Sequence, residues 1–252
     1  MIEIINVWKY FDEQPVLRGI NLVVPSGKTT LILGRSGCGK SVLLKVILRL
    51  LDLDEGRIII NGVDTTDFDE SRMMKIRKKI GMLFQSSALF DSLTVWENVA
   101  FPLVEHSTLS EEEINERVMT LLEFVELSDA ANKLPGELSG GMKKRAALAR
   151  ALATNPEFLF FDEPTTGLDP ITAARINELI IRTKERFKTT SIVVTHDIIS
   201  ALTVGDKFAF IHDGRIEFEG SREELLNSDV PALKEFLSQA APKNLITKLI
   251  NS

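Results

Sequence analysis

The stretch Gly34-Arg35-Ser36-Gly37-Cys38-Gly39-Lys40-Ser41 sets glycines, a lysine and a hydroxyl in the spacing G-x-x-x-x-G-K-[ST], the pattern of a loop that wraps phosphate. Residues 29–33 before it read as a buried strand, and residues 41–51 after it carry the Leu/Val/Ile density of a buried helix. Strand, loop, helix is the context the pattern needs. Gly34, Gly37 and Gly39 let the backbone turn tightly enough to aim successive N–H groups at phosphate oxygens, and the helix that follows presents its positive end. In such a loop Lys40 reaches the β- and γ-phosphates and the Ser41 hydroxyl ligates Mg²⁺. A glycine-rich turn ahead of a core helix is the competing reading.

Around the loop, residues 2–8, 20–24 and 57–60 are short β-rich runs separated by Pro25-Ser26-Gly27 and Asn61-Gly62. Tyr10 and Phe11 fall between the first two runs, where a ring either stacks on a purine or packs at the edge of the core. Residues 69–79 read as a helix whose Arg72, Lys75, Arg77, Lys78 and Lys79 form a solvated face or, as the competing reading, a patch for a partner or lipid headgroups. Residues 80–84 follow as a strand ending at Gln85. A polar amide at a strand's carboxyl end is where a parallel α/β sheet presents ligand-binding groups.

From Thr94 to Ala153 the pattern turns helical. Ser110 and Glu113 form a capping box, and Ile114, Val118, Leu121, Leu122 and Val125 recur on one face. After Pro135-Gly136-Glu137 comes LSGGM, Leu138 to Met142. Ser139 is a good N-cap and Gly140-Gly141 allow close backbone approach, so the next helix begins as a second anion-binding terminus or as an ordinary Ser-capped helix. Its Lys143, Lys144, Arg145 and Arg150 are expected on the outer face. Residues 157–161 then read as a buried strand running into Asp162-Glu163-Pro164. Two carboxylates there are costly unless they bind something. Asp162 suits a Mg²⁺ shell, and Glu163 the polarisation of an attacking water. Residues 189–195 form another buried strand, ending in His196-Asp197, and a hairpin about Asp213-Gly214 and two helical stretches at 222–226 and 231–236 follow.

With 252 residues, 44% of them apolar, the chain can bury a full core. A net charge of −6 argues against a nucleic-acid partner. Cys38, the single cysteine, excludes an internal disulfide and a thiolate zinc cluster. The N-terminus does not read as a secretory leader, and residues 42–53 are interrupted by Lys45, Arg49 and Asp52, so any membrane role is expected through a partner.

In this order, GRSGCGKS, Gln85, LSGGM, the FLFFDEP of residues 158–164, Gly167-Leu168-Asp169 and His196 resemble the ATP-binding-cassette ATPases. The resemblance implies an α/β fold: a P-loop NTPase core with a RecA-like parallel sheet flanked by helices, an N-terminal antiparallel β-subdomain and an inserted α-helical subdomain. It implies one nucleotide-binding domain, with residues 1–86 and 156–220 as β-subdomain and core, 87–155 as the helical subdomain and 221–252 as C-terminal helices and tail. It implies ATP and Mg²⁺. By resemblance Phe11 stacks on adenine, and Gly34, Arg35, Ser36, Gly37, Cys38, Gly39, Lys40, Ser41 and Val42 hold the phosphates. Gln85 and Asp162 join Ser41 at the metal, Glu163 is the catalytic glutamate, Asp169 the D-loop aspartate and His196 the switch histidine. In that family two copies face each other, and the LSGG of one, here Ser139, Gly140 and Gly141, closes on the ATP held by the other. Met142 stands where the family usually has Gln, which puts a Gln-specific contact in doubt.

LSGGMKKRAALARALA and DEPTTGLDPIT, with residues 76–103, further resemble the ATPase of the Mla and Mce-type lipid importers. That implies a permease in the membrane, an Mce-type lipid-binding subunit and a peripheral place on the cytoplasmic face of a bacterial inner membrane. Cassettes for other substrates, a soluble cassette acting on nucleic acid and a P-loop kinase are the rivals. A kinase would not need LSGGM or His196.

Overall fold

The computed structural model describes residues 1–240. They divide into two compact units, 1–74 with 190–240, and 75–189, the boundary falling inside helix α2, Glu70–Arg77. The tail expected over 241–252 lies outside the described residues. Among the described residues no helix is long and apolar enough to cross a membrane.

The first unit opens with β1 (Ile2–Phe11), β2 (Gln14–Val24), β3 (Thr29–Leu33), α1 (Lys40–Ile47), β4 (Glu55–Ile60) and β5 (Val63–Asp64). It resumes with β8 (Thr190–Thr195), α7 (Ile198–Val204), β9 (Lys207–His212), β10 (Arg215–Gly220), α8 (Arg222–Leu226) and α9 (Pro231–Ala240). One antiparallel sheet has the order β2-β1-β4-β5. Three steps along β1, from Ile4 to Val7, match two along β2, from Leu22 to Ile20. The extra residue, with Asn6 at φ 49°, hands the buried face from even positions (Ile2, Ile4) to an odd one (Val7).

Tyr10 and Phe11 do not lie between strands, as the sequence suggests, but end β1 opposite Pro15 and Gln14. The turn that brings them there is Asp12-Glu13, with φ of 46° and 66°. Two successive positive φ values suit the twist of a tight hairpin, but neither residue is the glycine or asparagine that announces one.

β3 is buried along its whole length, parallel to β8 on one side and to β9 on the other, with β10 antiparallel beyond β9. A strand covered on both faces has no reason to alternate. The helix after the loop is shorter than expected, stopping at Ile47. Arg49 turns left-handed at φ 52°, the Leu50 and Leu51 N–H groups both return to the Lys45 carbonyl, and the Arg49 guanidinium bonds the carbonyls of Thr65 and Thr66.

The second unit holds β6 (Ile80–Leu83), α3 (Val95–His106), α4 (Glu111–Phe124), α5 (Gly140–Leu152), β7 (Phe158–Asp162) and α6 (Pro170–Phe187). β6 and β7 are parallel, with Leu83 opposite Phe161. α5 packs on β6 and on α3. The approach to β6 is so close that a Cβ on Gly81 would press into the Ala151 carbonyl and come within 2.7 Å of Leu159 Cδ2. The capping box at Ser110 and Glu113 is present, and a second, Thr94 with Glu97, starts α3.

The expectation that the charges on α5 face outward is corrected. Lys144 is buried, and Arg145 and Arg150 are half-buried. Arg145 Nη1 donates to the carbonyls of Val125 (2.9 Å) and Glu126 (2.8 Å), past the end of α4. Arg150 donates to Ala88 (2.7 Å) and Ser87 (3.0 Å), both in left-handed backbone after β6. Carbonyls at helix ends and sharp turns lack ladder partners, and long cationic side chains reach them while their stems stay in apolar surroundings.

Candidate functional site

In the first unit the loop leaves β3 at Gly34, whose Cβ, if it had one, would stand 2.6 Å from Cys38 Sγ and against the Ile211 carbonyl. Gly39, at φ 103°, is the residue before α1, and no side chain caps that helix. A left-handed residue there turns the chain so that the first N–H groups of α1 face the loop. Lys40 is 5% exposed. Its Nζ arches back to donate to the carbonyls of Gly34 (2.8 Å) and Arg35 (3.0 Å). Ser36 and Gly37 are exposed, while Cys38, Ser41 and Val42 are half-buried. The side chain of Arg35 leaves the loop altogether and bonds Glu235 (2.6 Å) and Gln239 (3.1 Å) of α9.

Two further residues of this unit were named from sequence. Phe11 is 42% exposed at the end of β1, with Lys9 Nζ 5.6 Å from its ring centre. Tyr10 instead stacks on Trp8 at 6.0 Å, which leaves Phe11 as the ring presented outward. His196 is exposed just beyond β8, whereas its neighbour Asp197 is occupied in capping α7, accepting from the N–H groups of Ile199 and Ser200.

In the second unit Asp162 ends β7 and Glu163 follows, each 7% exposed. Glu163 has φ 48°, left-handed backbone that a glutamate seldom adopts. Thr166 Oγ1 donates to its Oε2 at 2.9 Å, and the Thr166 N–H reaches its carbonyl at 3.3 Å. The same carbonyl accepts from Lys144 Nζ at 3.3 Å, and that ammonium also donates to the Gln85 carbonyl at 2.6 Å. Burial pushes the Lys144 ammonium below the ordinary lysine range, opposed by the charges of Asp162 and Glu163. Gln85 itself is exposed.

Ser139 is exposed and caps α5, its Oγ accepting the Met142 N–H at 3.3 Å. Asp169 is engaged as the N-cap of α6, accepting from the N–H groups of Ile171 (3.0 Å) and Thr172 (3.1 Å) and from Thr172 Oγ1. The Thr172 hydroxyl and N–H hold its carboxyl below the ordinary aspartate value. The start of α5 meets the start of α6 here, since a Cβ on Gly141 would press on Thr172 Cγ2.

Sequence reasoning missed Lys144 and Thr166. Lys144 carried a signal: Ala147, Leu148 and Ala151, at i+3, i+4 and i+7, share its face and are all buried. A cation in an apolar stripe has to find acceptors inside. Among the described residues no three His, Cys, Asp or Glu side chains cluster as a metal cage.

The family model for ABC transporters matches residues 17–166, from within β2 through Thr166. The chain belongs to the ABC transporter family. This cassette is 43% identical over 237 residues to the intermembrane phospholipid transport system ATP-binding protein MlaF of Haemophilus influenzae, covering 94% of this chain and 90% of the relative. It is 40% identical over 237 residues to the probable ribonucleotide transport ATP-binding protein mkl of Mycobacterium bovis, covering 94% of this chain and 66% of that longer protein. Its fold matches the dimeric post-hydrolysis state of the ATP-binding cassette MJ0796 bound to ADP and Pi, with a TM-score of 0.81, 38% identity, and coverage of 88% of this chain and 98% of the other.

Proposed function

We propose that this cassette is the ATP-hydrolysing subunit of a transporter that moves phospholipid or another hydrophobic molecule across a bacterial envelope. The observation that carries the hydrolytic part is Glu163, a buried carboxylate held in left-handed backbone by Thr166 and Lys144 at the end of β7. Such backbone costs about 1–3 kcal/mol and persists only where the surrounding structure over-determines it, a condition that recurs at active sites.

In this reading the loop 34–41 holds the phosphates of ATP, Lys40 exchanging its two loop carbonyls for phosphate oxygens. Phe11 stacks on the adenine and Val42 flanks the phosphates. The Ser41 hydroxyl, the Gln85 amide oxygen and the Asp162 carboxylate are the donors for Mg²⁺. They fit, being hard oxygen ligands with a single carboxylate, the set Mg²⁺ takes when substrate phosphates and water complete its shell. The ion supplies neutralisation of phosphate charge. Glu163 accepts a proton from the water that attacks the γ-phosphorus, yielding ADP and phosphate, and His196 steadies the γ-phosphate. Ser139, Gly140 and Gly141 serve the ATP of a second copy, and Asp169 borders that contact. The dimeric cassette among the structural relatives supports the pairing.

Phospholipid is favoured over ribonucleotide as cargo because the MlaF relative is matched over 90% of its length, and mkl over 66%. A membrane permease, an Mce-type lipid-binding subunit and a peripheral seat on the cytoplasmic face of the inner membrane complete the proposal. Its test is Glu163→Gln. That variant should bind ATP, form a stable dimer and lose about two to four powers of ten in turnover; wild-type turnover would sink the assignment. Copurification of a permease carrying an Mce-type subunit tests the cargo.

A further inference from the structure

We infer that Lys144 is a positioning residue, which fixes the backbone of Glu163 and of Gln85 to the helix that presents Ser139. The inference rests on the ATPase reading above. Lys144 touches neither carboxylate in its hydrogen bonding; its ammonium lies on two main-chain carbonyls, one just past each of the parallel strands β6 and β7. It is 4% exposed, and a buried ammonium is tolerated only where acceptors surround it. The acceptors it has found belong to the two segments assigned to metal and water.

Glu163 supplies the reason that this tie matters. At φ 48° its backbone is in a region that a β-carbon disfavours, and such a residue stays there only when its surroundings over-determine it. Thr166 holds the carboxylate end and shares the carbonyl, while Lys144 holds that carbonyl from the opposite element, α5. With the ammonium gone, the carbonyl loses that bond, and the hold of α5 on the left-handed peptide goes with it. Rotation about that peptide swings the carboxylate away from the position Thr166 gives it. The Gln85 carbonyl would lose its 2.6 Å partner at the same time. Because α5 begins with Ser139 as its cap, a shift of that end is transmitted through Lys144 to both segments.

The role differs from a general structural one in what it predicts. Lys144→Met keeps the stem and removes the donor. In the full-length protein it should retain ATP affinity within about threefold, while kcat falls by at least about thirtyfold. Lys144→Arg, which keeps a buried cationic donor, should recover kcat to within about fivefold of wild type. Where Lys144→Met fails to fold, as judged by circular dichroism, Lys144→Gln takes its place. Its shorter amide should leave ATP affinity unchanged and lower kcat about tenfold. Wild-type kcat in a folded Lys144→Met or Lys144→Gln protein overturns the inference, as does a loss confined to ATP affinity. Glu163→Gln run alongside separates the two claims: if it hydrolyses ATP normally the ATPase reading fails, and if it is inactive while Lys144→Met is not, only the role of Lys144 fails.

Discussion

Arg35, the second residue of the phosphate loop, is ion-paired to Glu235 of the last described helix at 2.6 Å. Both side chains are at least half exposed. The Arg35 guanidinium holds the Glu235 carboxyl below its ordinary value of 4.5. A depressed carboxyl stabilises fully above its unfolded value and loses that contribution as pH falls through the folded one. The gap in thermal midpoint between wild type and Glu235→Gln should therefore close as pH drops from about 6 to about 3, and should narrow in high salt at neutral pH. A gap that is flat in both would show that the pair contributes nothing to stability.

The Thr166 hydroxyl on Glu163 Oε2 orients the carboxylate expected to act on water. Removing one hydrogen bond to a charged group is worth about 1.5 kcal/mol, or roughly tenfold in rate. Thr166→Val should lower kcat by that factor with little change in ATP affinity, and unchanged kcat would argue that Glu163 needs no such support.

Cys38 lies half-buried inside the loop, its sulfur packed near the backbone of Gly34. Alkylation by N-ethylmaleimide, followed by mass spectrometry, should slow several-fold when ATP is present. Indifference to ATP would count against phosphate sitting in the loop.

Gly81 has no room for a methyl group between the Ala151 carbonyl and Leu159. Gly81→Ala should destabilise by about 1–3 kcal/mol, the usual result of overpacking. Urea unfolding would show this as a lowered midpoint at unchanged slope.

In the second unit α3 and α4 each enter on a short hydroxyl side chain. Ser110→Ala and Thr94→Ala should each cost about 1 kcal/mol, since each hydroxyl accepts an N–H that otherwise has no intrahelical partner. No change in unfolding free energy for either would show that water replaces the cap without loss.

Wherever a local physical demand leaves its residue type in the chain, the fold was readable. The loop demands glycines, the buried strand β7 an uninterrupted apolar run, the buried strands β3 and β8 apolar runs of three beside their threonines, and α4 demands Ser110 with Glu113; all are where the sequence puts them. The turn at Asp12-Glu13 and the early end of α1 were hidden, because left-handed backbone falls there on residues that are not glycine. The charges of α5 were misjudged for a related reason: polarity predicts exposure until a neighbouring segment offers bare carbonyls, and those of Ser87, Val125 and Glu163 become acceptors only once the chain has folded. In the candidate site, the sequence singles out residues where chemistry restricts the type, as at Lys40, Asp162 and Glu163. The supporting contacts of Lys144 and Thr166 were not legible, since a lysine or a threonine at those places is compatible with many environments.

The two carbonyls that hold the Lys40 ammonium bear on how the loop meets its ligand. A loop stiffened by its own lysine has already lost the freedom that binding would otherwise have to take away, so nucleotide meets a preorganised cradle. In the proposed function, association exchanges these two peptide oxygens for phosphate oxygens at a cation that is already buried.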